Sequence, residues 1–197
     1  MNIVSEEAAR ALLAFISAGD RSAMDKLYVL YFEKLATFFL HLTAHVDIVE
    51  ELIDDTMVEV WQKGASIGAN ASVSVTIMGL AYSRGQKRFA ETKATRQHGQ
   101  RGIQDTNHDS PLPTALDTPS TPQDFLLKLP VEERAVLHLV YTGGHSRRDI
   151  ADIMNISCES VDVLLGDARL RLRRGYAQGY VARDSSYETI ASTESQI

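Results

Sequence analysis

Three consecutive helices are predicted between residues 129 and 174, each from its own start signal. The segment reads LPVEERAVLHLVYTGGHSRRDIADIMNISCESVDVLLGDARLRLRR. Its first helix follows a Leu-Pro pair, carries two early glutamates and ends at Thr-Gly-Gly. Ser146 and Asp149 have the spacing of a capping box and start the second helix. After the turn Asn-Ile-Ser, Ser157 caps the third helix.

Each of these three helices has one apolar face. The apolar residues recur at the three- and four-residue steps that packed helices require. They are Val136, Leu137, Leu139 and Val140, then Ile150, Ala151, Ile153 and Met154, then Val161, Leu164, Leu165, Ala168 and Leu172. A long helix, a short helix, a tight turn and a further helix are typical of the helix-turn-helix, which presents its last helix to DNA. We therefore predict a helix-turn-helix domain over residues 124–180.

A second helical domain is predicted over residues 1–90. Gly19 and Asp20 indicate a turn, and Ser22 is a candidate N-cap for the helix that follows. The apolar face of that helix is long and regular, with Leu27, Tyr28, Tyr31, Leu35, Phe38, Phe39 and Leu42. The polar stretch KGASIGANAS at 63–72 separates a third helix from a fourth, which is expected to run from about Val73 to Ala90.

The segment 91–123 differs in composition from both domains. It holds four of the five prolines of the chain and has no apolar period, which predicts a flexible linker. The tail at 181–197 is polar and is expected to be loose. Strand-like alternation is absent from the sequence. The predicted fold is all-α, with two small helical domains joined by a flexible linker.

Composition excludes several classes of function. A net charge of −6 over 197 residues argues against a protein that coats nucleic acid indiscriminately. One cysteine and six scattered histidines give no metal-site spacing, and no glycine-rich phosphate loop or nucleophile motif is present. We therefore expect no enzyme activity, no cofactor and no metal. Without a signal peptide or an apolar run long enough to span a bilayer, the chain is expected to be cytoplasmic, with no membrane insertion.

The helix predicted from VDIVEELIDDTMVEVWQKG, residues 46–64, has two contrasting faces. One is apolar, with Ile48, Val49, Leu52, Ile53, Thr56, Met57, Val60 and Trp61; the other is acidic, with Glu50, Glu51, Asp54, Asp55 and Glu59. Clustered carboxylates without an interleaved lysine repel one another by a few tenths of a kcal/mol per pair. The acidic face is therefore either a solvated surface or a docking surface for a basic partner, whose association it would speed.

The order of these segments resembles RNA polymerase sigma factors of the extracytoplasmic-function type, over roughly residues 20–175. EELIDDTMVEVW is similar to the family's D-L-x-Q-E/D-T/V-F-x-x-x-W helix, and ASVSVTIMGLAYSRGQKR to the segment with the W-L-x-x-I-A-x-N core. The segment 129–174 resembles the family's fourth region, with its L-P-x-x-x-R opening and its L-S-x-x-E-I-A, G-T-V and R-A-R cores. The resemblance implies three partners: core RNA polymerase, through its clamp helices and flap, promoter DNA and an anti-sigma factor.

The resemblance also implies roles for individual residues. Those that would contact the polymerase clamp are Glu51, Asp54 and Asp55. The basic turn with Arg84, Lys87 and Arg88 would lie near the minus-ten element. The surface at the minus-thirty-five element would comprise Arg147, Arg148, Ser157, Ser160, Asp162, Val163, Arg169 and Arg171.

Two surfaces depart from the family pattern. In the promoter-melting segment, Thr76, Leu80 and Ser83 occupy the family's tryptophan, isoleucine and asparagine positions. Threonine cannot stack on an unpaired base, a contact worth about 1–3 kcal/mol for an aromatic side chain. In the recognition helix, basic positions are replaced by Asp162, Leu164 and Asp167, and each lost phosphate contact lowers the salt slope of DNA binding by about 0.9.

Three functions are therefore compatible with the sequence. The first is a working alternative sigma factor with an unusual promoter preference. The second is a sigma-like regulator that binds polymerase or an anti-sigma factor and has little promoter activity of its own, which the departures favour. The third is a transcription factor that uses only its C-terminal helix-turn-helix, with the N-terminal domain for dimerisation. Binding to core polymerase separates the third function from the first two, and promoter-dependent transcription separates the first from the second.

Overall fold

The computed structural model describes residues 3–43, 46–67, 72–99 and 122–194, and within these ranges all regular structure is helical. The α-helices are α1 (Ile3–Ser17), α2 (Arg21–Thr43), α3 (Val49–Lys63), α4 (Val73–Gly99), α5 (Pro122–Leu127), α6 (Val131–Tyr141), α7 (Arg147–Met154) and α8 (Cys158–Glu194). Helices α1–α4 form an N-terminal unit, and α5–α8 form a C-terminal unit. The predicted all-α fold with two helical domains is confirmed.

Helix α2 is the centre of the N-terminal unit. Its apolar stripe is buried as the periodicity predicted, and six side chains are fully enclosed: Leu27, Tyr31, Leu35, Phe38, Phe39 and Leu42. Tyr28, at the edge of the stripe, is only half-buried. Helices α1, α3 and α4 all contact α2, so a single long helix organises the unit.

The start of α2 corrects one prediction. The helix is capped by Asp20 and not by Ser22, because the Asp20 carboxylate accepts hydrogen bonds from the backbone N–H groups of Ser22 (2.8 Å) and Ala23 (3.3 Å). Aspartate and serine are both good N-caps, so residue type alone does not choose between adjacent candidates. The cap shifts the helix start to Arg21.

The start of α4 is held by a residue far away in the sequence. The Glu6 carboxylate on α1 accepts hydrogen bonds from the Ser72 hydroxyl (2.9 Å) and from the backbone N–H groups of Val73 (2.6 Å) and Ser74 (3.3 Å). The first N–H groups of a helix have no partner within the helix, and a carboxylate also interacts favourably with the positive end of its dipole. Glu6 therefore sets where α4 begins and joins it to α1.

In the C-terminal unit, the predicted starts of α6, α7 and α8 are confirmed. Ser146 and Asp149 form the reciprocal capping box of α7, and the Ser157 hydroxyl accepts the backbone N–H of Ser160 at 3.1 Å at the start of α8. The turn between these helices places Asn155 in the left-handed region at φ 53°. Asparagine tolerates this conformation better than most residues, and the tight turn of the helix-turn-helix depends on it.

Two helices extend beyond the predicted boundaries. Helix α4 continues to Gly99, nine residues into the segment expected to be the linker, and α8 continues to Glu194, so the expected loose tail is helical as far as that residue. Neither extension contains a proline, and adding a residue to an existing helix is much easier than nucleating a new one. Residues 100–121 of the expected linker lie outside the described residues, and its last two residues, 122 and 123, are helical because they begin α5.

The two units share one apolar core. Its members from the C-terminal unit include Leu139, Ile150 and Ile153, and these are continuous with the buried side chains of α2 and α4. The principal contacts between units join α4 to α7 and α2 to α6. The α4 helix is therefore covered on one side by the helix-turn-helix of the other unit.

The Glu6 interaction can be tested by unfolding. Glu6→Ala should lower the free energy of unfolding by about 2 kcal/mol, because donors at the start of α4 lose a charged acceptor. Glu7→Ala is the matched control, since Glu7 is exposed, and it should change stability by less than about 0.5 kcal/mol. Urea unfolding followed by circular dichroism measures both values, and equal losses would contradict the interaction.

Candidate partner-binding and nucleic-acid-binding surfaces

The predicted polymerase-contacting residues lie together on the outer face of α3. Glu51, Asp54 and Asp55 are exposed, while the opposite face of the helix contributes Leu52, Ile53 and other side chains to the core. Asp54 accepts a hydrogen bond from the Tyr28 hydroxyl at 2.9 Å. Burial raises the pKa of Tyr28, and this hydrogen bond raises it further.

Trp61 was predicted to lie on the buried face of α3, and this is wrong: it is 37% exposed. It follows Asp54 by seven residues and Val58 by three, so the three share one helix face. Val58 is 54% exposed. The acidic surface therefore includes an apolar patch. The sequence pattern did not predict this patch, because Trp61 lies on the border between the two faces.

The acidic face of α3 is paired with the basic turn of α4. Arg84 Nε lies 2.8 Å from Glu59 Oε2, and Arg84 Nη1 lies 3.8 Å from Asp55 Oδ2. Arg88 Nη2 lies 3.2 Å from Glu51 Oε2. Residues predicted to bind polymerase thus contact residues predicted to bind DNA, which the sequence could not indicate because they lie on different helices.

Glu59 is the most strongly held carboxylate of this surface. Its hydrogen bond with Lys63, whose Nζ lies 2.7 Å away, lowers the pKa of Glu59, and Arg84 lowers it further against the opposing effect of burial. The repulsion expected among the α3 carboxylates is therefore relieved by Lys63, Arg84 and Arg88. Exposed ion pairs of this kind contribute only about 0–1 kcal/mol each, so a partner can replace them at little cost.

The promoter-melting segment of the resemblance lies on α4. Thr76 is half-buried, and its hydroxyl donates to the Ser72 carbonyl oxygen at 3.1 Å, within the first turn of the helix. Ser83 and Lys87 are exposed and line a cleft against Pro130 and Glu132 of the C-terminal unit. Threonine at position 76 thus makes a local helix contact and presents no ring to a base.

In the helix-turn-helix, two predicted DNA-binding residues pair with each other. Arg147, at the start of α7, makes two parallel contacts with Asp162 of α8, each of 3.0 Å. This is the fork geometry in which a guanidinium binds a carboxylate. Both residues are exposed, and so are Arg148, Ser160 and Val163 beside them.

The remaining predicted DNA-binding arginines contact α6 or its end. Arg169 donates from Nε to the Tyr141 hydroxyl at 3.0 Å and lies over the Tyr141 ring. Arg171 Nε lies 3.0 Å from Glu133, which is only 4% exposed. Burial raises the pKa of the Glu133 carboxyl, and the Arg171 charge opposes that effect. Both arginines therefore stabilise the packing of α8 on α6.

Two other kinds of site are absent from the described part of the chain. Among these residues there is no group of three or more histidine, cysteine, aspartate or glutamate side chains placed to hold a metal ion. None of the described helices is both long and apolar enough to cross a membrane.

Sequence comparisons agree with the resemblance. Residues 123–172 match the family model described as Sigma-70, region 4. The chain is 25% identical over 160 residues to the RNA polymerase sigma factor YlaC of Bacillus subtilis, covering 78% of this chain and 92% of that protein. It is 26% identical over 163 residues to the ECF RNA polymerase sigma factor SigM of Mycobacterium tuberculosis, covering 83% and 82%.

Solved structures show the same fold. The sigma factor RpoE from Bartonella quintana, in complex with the anti-sigma factor NepR, superposes with a TM-score of 0.62 at 18% identity, covering 78% of this chain and 96% of that one. CnrH, in complex with the cytosolic domain of CnrY, superposes with a TM-score of 0.61 at 19% identity, covering 85% and 96%. The resemblance to extracytoplasmic-function sigma factors is confirmed.

The pairing of Arg147 with Asp162 predicts an unusual effect of losing an acid. Asp162→Ala should strengthen binding of the full chain to duplex DNA and steepen its salt slope by about 0.9, because freed Arg147 gains a phosphate contact. Asp152→Ala, which removes the same charge from an exposed position of α7, is the matched control and should leave the slope unchanged. Fluorescence anisotropy over a potassium chloride series measures both, and identical slopes would contradict the prediction.

Proposed function

We propose that this chain, which resembles extracytoplasmic-function sigma factors in both sequence and fold, is an alternative sigma factor that binds core RNA polymerase and directs promoter-specific transcription initiation. The observation that carries the proposal is the presence, in the family's order, of two surfaces on one chain. One is the acidic face of α3 in the N-terminal unit, and the other is the helix-turn-helix of the C-terminal unit.

The α3 surface has the composition of a protein-binding site. Glu51, Asp54 and Asp55 supply negative charge that attracts a basic partner and orients its approach. Val58 and Trp61 supply apolar area on the same helix face, and tryptophan is among the residues that dominate binding energy at interfaces. We assign this surface to the clamp helices of core polymerase.

The C-terminal unit supplies the promoter contacts of the proposal. The exposed face of α8 offers Ser160, Asp162 and Val163 to the major groove at the minus-thirty-five element, with Arg147 and Arg148 beside the backbone. Ser157 is engaged in capping α8 and so positions that helix. Arg169 and Arg171 would reach phosphates only by exchanging their contacts with Tyr141 and Glu133.

The α4 helix supplies the contacts at the minus-ten element. Lys87 is exposed and is available to phosphate, whereas Arg84 and Arg88 exchange α3 carboxylates for DNA. Promoter melting would proceed without the aromatic side chain that Thr76 replaces. We therefore expect a promoter preference that depends more on the minus-thirty-five contacts than on base stacking.

A second candidate is a sigma-like regulator that binds polymerase or an anti-sigma factor and promotes little transcription itself. It is favoured by the internal pairing of Arg84, Arg88 and Arg147 and by the loss of the aromatic residue at position 76. Promoter-dependent transcription is the property that separates it from the first candidate. Both candidates require polymerase or a sigma-binding partner. They differ in this from the third function, a transcription factor that uses only its helix-turn-helix and dimerises through its N-terminal domain.

An anti-sigma factor is a further proposed partner. Two proteins with this fold, RpoE and CnrH, were solved in complexes with NepR and with the cytosolic domain of CnrY. By likeness to RpoE, the present chain would bind an anti-sigma factor. We propose that it acts in the cytoplasm and without enzyme activity of its own.

The polymerase assignment is tested by reversing charge on α3. Glu51→Lys/Asp54→Lys should weaken binding to core RNA polymerase at least tenfold, about 1.4 kcal/mol, because the attraction to a basic partner becomes repulsion. Glu7→Lys/Asp25→Lys changes the net charge by the same amount at exposed positions of α1 and α2, and this variant should bind as the wild type does. Biolayer interferometry with immobilised core enzyme measures the affinities.

Equal loss in both double variants would mean that only net charge matters and would contradict the assignment. Unchanged binding in both would place the polymerase contact elsewhere on the chain. Circular dichroism of each variant establishes that the helices remain folded.

A further inference from the structure

A histidine lies in the contact between the two units. His138, on the inner face of α6, is only 7% exposed. Its ring is 5.4 Å from Phe38 in an edge-on arrangement and 4.9 Å from His41, both on α2 of the other unit. Its Nδ1 is buried and makes no hydrogen bond to any described residue. Burying an unpaired polar atom is unfavourable, and burying it with a positive charge on the ring is much more so.

A second histidine lies at the same contact. His145, in the loop between α6 and α7, also has a buried Nδ1 that none of the described side chains or backbone groups pairs. His138 and His145 line one cavity together with Glu33 and Lys34 of α2 and Met78 of α4. The two histidines therefore lie against α2 and α4, the two helices of the N-terminal unit that the C-terminal unit contacts.

The rest of the contact is apolar and close. A Cβ atom added to Gly79 of α4 would lie 3.6 Å from the Ile153 carbonyl oxygen and 3.8 Å from its Cα, so α4 and α7 meet backbone to backbone. Met78, Ile150 and Ile153 are buried here. This packing is hydrophobic, so its contribution to the stability of the contact does not depend on pH. A change of charge at the histidines therefore changes that stability without being offset by the apolar packing.

The charged groups around the histidines do not favour a further cation. Facing them are Glu33, Lys34 and His41 from α2, Arg134 from α6 itself and Asp149 from α7, while α4 contributes only the uncharged Ser74 and Met78. Asp149 is occupied as the capping-box residue of α7. Arg134 is half-buried over the Phe89 ring of α4, with its Nε unpaired among the described residues.

We propose that the contact between the two units is an acid-sensitive switch, in which the closed arrangement is stable while His138 and His145 are neutral and opens when they take up protons. The closed arrangement is the one described here, with α6 and α7 packed on α2 and α4. Opening moves the histidines into water and uncovers the face of α4 that contains Met78 and Gly79. This goes beyond the proposed function, because it concerns when the two units separate.

The direction of the pH effect follows from the histidine pKa values. Burial, followed by the charges of His41 and His145, lowers the pKa of His138 from an ordinary 6.5 to about 4. Burial also lowers the pKa of His145, although Asp149 opposes the effect. The closed arrangement is therefore fully stable above pH 6.5 and loses stability as the pH falls from 6.5 toward 4. For His138 alone, the opening constant rises about tenfold between pH 7.5 and pH 5.5.

The experiment measures the separation of the units in the full chain. Cys158 is exposed at the start of α8 and takes one fluorophore, and Asp25→Cys on the exposed side of α2 takes the other. Single-molecule energy transfer then gives the open fraction at pH 7.5 and at pH 5.5. We expect the ratio of open to closed molecules to rise at least tenfold, with the helical circular dichroism signal unchanged.

Variants assign the effect to the histidines. His138→Leu should remove most of the pH response, and His138→Leu/His145→Leu should abolish it, because neither can then be protonated. His138→Asn serves the same purpose if the leucine variant does not fold. Glu133→Gln is the control, since Glu133 titrates but pairs with Arg171 inside the C-terminal unit, and its response should equal that of the wild type.

A wild-type open fraction that is the same at both pH values would overturn the proposal, and so would a full response in the double histidine variant. The consequence for polymerase binding rests on the proposed function, whereas the energy-transfer measurement does not. Core polymerase binding measured at both pH values keeps the two apart: normal opening without binding at either pH would contradict the proposed function alone.

Discussion

The packing of α4 between the two units is the constraint on which the other features depend. One side of α4 contacts α3 and α2 of its own unit, and another contacts α7 of the C-terminal unit. Its first turn is fixed by the Glu6 carboxylate, and Gly79 allows α7 to approach its backbone closely. The position of the C-terminal unit therefore controls access to the face of α4 that contains Met78 and Gly79.

The charged surfaces are largely satisfied within the chain. The α3 carboxylates pair with Arg84 and Arg88, and Arg147 pairs with Asp162. Exposed ion pairs contribute little to stability, so these pairs can be exchanged for contacts with a partner. An aspartate in the recognition helix is then compatible with DNA binding, because it faces an arginine in the free protein. The negative net charge of the whole chain does not describe these local surfaces.

Much of the fold is predictable from the sequence because its signals are local. The apolar stripe of α2, the capping box at Ser146 and the cap at Ser157 each lie within a few residues, and the structure confirms them. The missed features depend on distant residues or on borderline positions. Glu6 reaches the start of α4 from more than sixty residues away, and Trp61 lies at the edge between two faces. The DNA- and polymerase-contacting residues remain predictions. Their ion pairs within the free protein do not reveal which partner they contact in a complex.

The most direct test of the central claim is a run-off transcription assay with core RNA polymerase, this protein and a fragmented genomic library, at pH 7.5 and at pH 5.5. We expect defined transcripts whose aligned upstream sequences share a minus-thirty-five element, which the exposed face of α8 would read. The absence of any transcript that depends on this protein at either pH, despite demonstrated binding to core polymerase, would contradict it. The chain would then be a regulator with the fold of a sigma factor.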